Sequence, residues 1–126
     1  MTAIGMGGYF FRAQDPAALK AWYKEHLGVG GGCGTGPDGK ANEWVWFTQG
    51  GPMVFEPFAA DRDYFARDKP VMINLRVTDL EALVARLEAA GIEVQRKDEW
   101  NATEIGTFSR IHDPEGNPIE LWEPKG

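Results

Sequence analysis

An internal repeat constrains this chain more than any other feature. Sliding the sequence by 64 residues pairs Arg12 with Arg76, Asp15 with Asp79, Ala18 with Ala82, Leu19 with Leu83 and Ala21 with Ala85. Five of the ten positions from 12 to 21 are identical under that shift. Helix-capping grammar supplies part of the agreement, because each block opens a helix behind an aspartate. The same offset, without a gap, also carries Glu56 onto Glu120. Two modules related by a pseudo-twofold would therefore set two glutamates on equivalent strands.

The pattern along the chain fits two such modules. Residues 8–13 read as a strand. Asp15 and Pro16 then open a helix to about Leu27, with Leu19, Trp22, Tyr23 and Leu27 as its apolar stripe and Gly28 as its stop. A loop over 28–39 holds seven glycines. Strands are predicted at 43–48 and 53–58, and the charged segment 59–70 reads as a linker with one helical turn. The order then begins again. Residues 71–77 alternate as a half-buried strand, Thr78 or Asp79 caps a helix carrying Leu80, Leu83, Val84 and Leu87, and Gly91 ends it. Strands at 92–95, 106–112 and 118–123 complete the chain. This gives an α+β domain over residues 1–126, with module one at about 8–58, the linker at 59–70 and module two at about 71–124.

The closing stretch, Asp113-Pro114-Glu115-Gly116-Asn117 followed by Pro118-Ile119-Glu120-Leu121-Trp122, is a turn leading into a short strand. Strand alternation puts Ile119 and Leu121 on one face, with Glu120 and Trp122 on the other. If the first pair faces the core, Glu120 is a carboxylate fixed on rigid scaffold beside an indole.

A net charge of −6 argues against nucleic-acid and anionic-membrane partners. The N-terminal stretch 1–6 has neither a basic nor an apolar leader region, and no stretch approaches the roughly 20 apolar residues of a membrane span. These features point to a cytoplasmic protein. Cys33 stands alone, so neither a disulfide framework nor a thiolate metal cluster is available. The run Gly34-Thr35-Gly36-Pro37-Asp38-Gly39 matches a dinucleotide-binding pattern, but the strand-like Glu43–Phe47 follows it where a helix is required. Ala41 also replaces the Ser or Thr of a phosphate loop, so nucleotide binding is rejected.

Three quoted blocks carry a family likeness: Arg12–Asp15 leading into Trp22–Gly28, Arg76–Leu80 leading into the second helix, and Asp113–Trp122. With the repeat, they resemble the vicinal oxygen chelate superfamily of glyoxalase I, bleomycin-resistance and extradiol dioxygenase proteins. That resemblance implies paired βαβββ modules forming a curled, cup-like mixed sheet, often completed by dimerisation. It also implies metal-ligand positions at Gly8 and Glu56 in module one, and at Met72 and Glu120 in module two. Both glutamates are present and both first-strand ligands are missing, since glycine has no side chain and a thioether suits Ni, Zn, Fe or Mn poorly. The two histidines, His26 and His112, read as surface or packing residues. Ring-cleaving dioxygenase chemistry is therefore disfavoured.

Glu56 and Glu120 with waters can hold a hard cation weakly, so no cofactor is firmly implied. Without a cation, a close pair of carboxylates would share a proton, an arrangement suited to acid/base work in a lyase or isomerase. Trp122, Met72, Asn74, Phe10, Phe58 and Trp46 are the expected substrate-binding side chains around that pair. The sequence supports such an enzyme, or else a dimer that sequesters a drug or aromatic ligand as bleomycin-resistance proteins do. A vestigial site on a scaffold is the third reading. A small-molecule ligand and a homodimer are the expected partners.

Overall fold

The computed structural model describes residues 3–126, so residues 1 and 2 of the N-terminal stretch lie outside it. In chain order it holds helix α1 (Pro16–Leu27), strand β1 (Ile73–Arg76), helix α2 (Leu80–Ala89), a 3₁₀ turn (Asp98–Trp100), and strands β2 (Gly106–His112) and β3 (Pro118–Pro124). The strands form one mixed sheet in the order β1-β3-β2, with β1 parallel and β2 antiparallel to β3.

Both helices start as their sequence dictates. Asp15 accepts from the Ala18 N–H at 3.1 Å behind α1, and Asp79 accepts from the Ala82 N–H at 3.3 Å behind α2. Gly28 closes α1 in the left-handed conformation, at φ 66°. Glu123 adds a second anion to the start of α2, accepting from the Asp79 and Leu80 N–H groups at 3.1 and 3.0 Å. The two helices pack on one face of the sheet. Leu19 and Tyr23 of α1 and Leu80, Val84 and Leu87 of α2 meet Leu75, Ile111, Ile119 and Leu121 in one cluster. Each fully buried aliphatic side chain contributes about 1.5–3 kcal/mol relative to exposure.

The turn before β3 is closed by a buried carboxylate. Asp113 Oδ1 accepts from the Glu115 and Asn117 N–H groups, and Oδ2 from the Asn117 side chain and, at 2.7 Å, the Tyr23 hydroxyl. Gly116, at φ 82°, makes the turn possible. Glu115 reaches back to the Gln14 and Asp15 N–H groups, so this turn also pins the entry to α1.

Strand expectations divide between the modules. In module two, β2 and β3 lie where predicted, residues 71–77 shorten to β1, and 92–95 shrinks to a single bridge between Gln95 and Arg110. In module one no strand forms at 8–13, 43–48 or 53–58, where the only pairing is the bridge Asn42–Val45. A strand forms only where it bonds a neighbouring edge, and these segments bond none: β1 is laddered to β3 alone and its outer edge stays unpaired. Apolar residues meant for a sheet face consequently lie open: Phe10 is 94% exposed, Trp44 85% and Phe55 82%. The linker forms two turns, closed by Arg62 N–H to Ala59 O and Lys69 N–H to Ala66 O, rather than a helical turn. The glycine loop folds back on residues 42–47, and no helix follows it.

Candidate functional site

Register places the site. Glu120 lies beside Asn74 on β1 and Arg110 on β2, and Trp122 lies beside Arg76 and Phe108. Since Ile119 and Leu121 point into the helix-packed core, these two rows occupy the opposite face of the sheet. His112 pairs with Pro118, which puts it on that same face, one step beyond Arg110 and exposed.

Glu120 is only 7% exposed and both its oxygens are engaged. The Tyr64 hydroxyl donates to Oε2 at 2.6 Å, and the Asn74 side-chain amide donates to Oε1 at 2.8 Å. Asn74 therefore does meet Glu120, across the parallel pair. Tyr64, from the linker, is the partner that sequence reasoning missed. Its ring also lies under the Arg110 guanidinium, at 4.9 Å, and edge-on to Trp100 at 6.2 Å. Arg110 is 5% exposed, donates through Nη1 to the Tyr64 carbonyl, and lies 5.5 Å from the Trp100 ring. Trp122 and Phe108 stack, with centroids 5.9 Å apart and planes 4° from parallel, while the indole N–H donates to the Ile105 carbonyl.

The other expected site residues are placed less centrally. Met72 is half-buried just before β1. Phe58 and Trp46 are 39% and 38% exposed, and Phe58 meets Tyr64 edge-on at 5.8 Å. Phe10 stands in solvent. Glu56 is exposed and makes no side-chain hydrogen bond among the described residues. Arg76 donates to the Gln49 and Gly50 carbonyls. His26 sits on α1 beside Glu25 and Trp22.

These donors do not suit a metal. Glu120 already accepts two hydrogen bonds, Gly8 and Met72 supply no hard donor, and among the described residues no three His, Cys, Asp or Glu side chains gather. The local arrangement favours a fixed anion ringed by donors and aromatic faces. That can bind and orient a ligand or accept a proton from it.

Burial, then the hydrogen bond to Glu120 and the charge of that carboxylate, pushes the Tyr64 hydroxyl up to about 12, although Arg110 pulls it back. Tyr23 is raised by burial and by its bond to Asp113. Both shifts favour the protonated folded state. The stability they lend is complete below the unfolded value of about 10 and disappears as pH climbs through the folded values. Urea midpoints should therefore fall steeply above about pH 10, and Tyr64→Phe should flatten that fall. A pH-independent midpoint in this range would show that the two hydroxyls are not held as described.

The helix-backed mixed sheet is consistent with the vicinal oxygen chelate superfamily. Residues 9–122 match the glyoxalase-like domain, and the chain belongs to that family. No curated protein sequence matches it. Among solved structures it is similar to TnmS3, an antibiotic binding protein from Streptomyces sp. CB03234. That protein is 20% identical, with 96% of this chain and 100% of that one covered at a TM-score of 0.53. This likeness shows a shared fold.

Proposed function

We propose that this protein binds a planar, partly aromatic small molecule on the open face of its sheet, with Glu120 as the polar anchor. The observation that carries the reading is the pairing of a buried, doubly hydrogen-bonded carboxylate with the parallel Trp122–Phe108 stack one residue pair away. An apolar platform with a few convergent polar groups is what small-molecule sites are made of. That TnmS3 is an antibiotic binding protein supports the same reading.

The site would close in a homodimer. The space between the two halves measures about 3340 Å³, several times the roughly 300–1,000 Å³ of a small-molecule pocket. The outer edge of β1 and the bare aromatics of module one offer a second copy both backbone and apolar surface. Among the described residues no helix is long and apolar enough to cross a membrane. A reducing cytoplasm would keep the lone Cys33 a thiol.

Acid/base catalysis is the second reading, favoured by the 2.6 Å contact between Tyr64 and Glu120. It would use Glu120 as base and Tyr64 as proton donor, without a metal.

Calorimetric titration with neutral planar aromatics that carry a donor for Glu120, 2-naphthol and 2-naphthylamine among them, tests the first reading. Saturable binding should appear and weaken about 2–10-fold in Trp122→Ala, the loss expected from removing a stacking face worth about 0.5–1.5 kcal/mol. Binding unaffected by Trp122→Ala would place the ligand elsewhere. Light scattering should give twice the chain mass, and a monomer at high concentration would remove the dimer.

A further inference from the structure

One buried group on this face has no partner for its chemistry. Arg110 is 5% exposed, yet its Nε and Nη2 atoms are buried and bond to nothing, while Nη1 alone is used, on the Tyr64 carbonyl. Those two atoms lie on one edge of the guanidinium, the edge whose parallel N–H groups grip a carboxylate two-pronged. Glu120, the cross-strand neighbour of Arg110, does not fill that role, since its oxygens are taken by Tyr64 and Asn74. Burying a cation with two open donors is costly, so the fork wants an anion.

We infer that the Nε/Nη2 edge of Arg110 is an anion subsite, and that the ligand of this face is an aromatic carboxylate. The inference rests on the reading of this face as a ligand site and specifies the ligand's charge. Shape selects the carboxylate, because the planar two-donor edge of the guanidinium matches the two coplanar oxygens of that group. Aromaticity follows from the surroundings, because the guanidinium is walled by the Tyr64 and Trp100 rings. Tyr64 covers Arg110 and Glu120 together, and it belongs to a linker with no regular structure, so entry requires that ring to swing aside.

The test compares benzoate with benzamide, its neutral near-isostere, by calorimetry on the full chain. Benzoate should bind about 10–100-fold more tightly, the range expected of charge-assisted hydrogen bonds. The preference should survive about 0.5 M salt, because a buried pair is little screened. Arg110→Gln should abolish it, and Arg110→Lys, which keeps the charge but not the fork, should retain only a fraction. Equal binding of benzoate and benzamide by the wild-type protein overturns the inference even if an Arg110 variant fails to fold. If 2-naphthol or 2-naphthylamine saturates while benzoate gains nothing, the anion subsite falls and the binding face stands. If neither the neutral aromatics nor benzoate binds, both fall.

Discussion

Asp113→Ala should cost about 3 kcal/mol of folding stability and lower the melting temperature by about 10 °C. The Asp113 carboxylate accepts four hydrogen bonds and is 4% exposed. Removing it strands donors that differ in their access to water. Those of Glu115 and Asn117 are half-buried and can be partly rehydrated, whereas the Tyr23 hydroxyl sits in the core cluster. Tyr23→Phe alone should cost about 1.5 kcal/mol, because Asp113 keeps its other three donors. In the Asp113→Ala background the same change should be neutral or slightly stabilising, since it then deletes an orphaned hydroxyl. Urea unfolding of the four proteins gives the cycle. Additive losses, or an Asp113→Ala protein within about 0.5 kcal/mol of wild type, would mean that the turn is held by its backbone and not by this carboxylate.

The same residues show what the sequence discloses and what it conceals. Local rules place α1, α2, β2 and β3 well, because caps, stops and alternation are written in neighbouring residues such as Asp15, Gly28 and Asp79. The core face of β3 follows from parity alone. Arg110 was within reach as well. With a five-residue turn at 113–117, His112 must oppose Pro118, and counting back along the hairpin sets Arg110 opposite Glu120. Tyr64 was not within reach, because its contact with Glu120 spans 56 residues and starts from a linker without periodicity. Nor was Trp100, in a 3₁₀ turn too short to carry a pattern. The strands expected at 8–13, 43–48 and 53–58 expose another limit. Alternation states which residues prefer a sheet face, but it does not supply the neighbouring edge. The symmetry that pairs Glu56 with Glu120 in sequence is thus expressed in the helices and their caps. In space one glutamate is buried and bonded, and the other is exposed.

Glu120→Gln should be the most informative single change on the open face. The amide keeps the shape of the carboxylate, and the Tyr64 hydroxyl can turn from donor to acceptor, so the substitution mainly removes charge. Two consequences follow. The Tyr64 hydroxyl should titrate nearer its ordinary value, since both the hydrogen bond to the carboxylate and its negative field are gone, though burial, the largest cause of the shift, remains. Ultraviolet titration of phenolate, with Tyr64→Phe as the reference, reads that change. Stability should also fall by about 2 kcal/mol, because Arg110 loses the anion of its cross-strand neighbour. Adding Arg110→Met should recover part of the loss, as an uncharged pair needs no compensation. If the double variant is no better than the sum of its singles, Arg110 and Glu120 are not coupled. Binding of 2-naphthol, whose hydroxyl can donate to this carboxylate, should fall at least about tenfold in Glu120→Gln, the loss of one charge-assisted bond, whereas benzoate, repelled by the same charge, should not bind more weakly. Unchanged binding together with unchanged Tyr64 titration would leave the open face with an aromatic platform but no polar anchor, and the proposed ligand site would have to be abandoned.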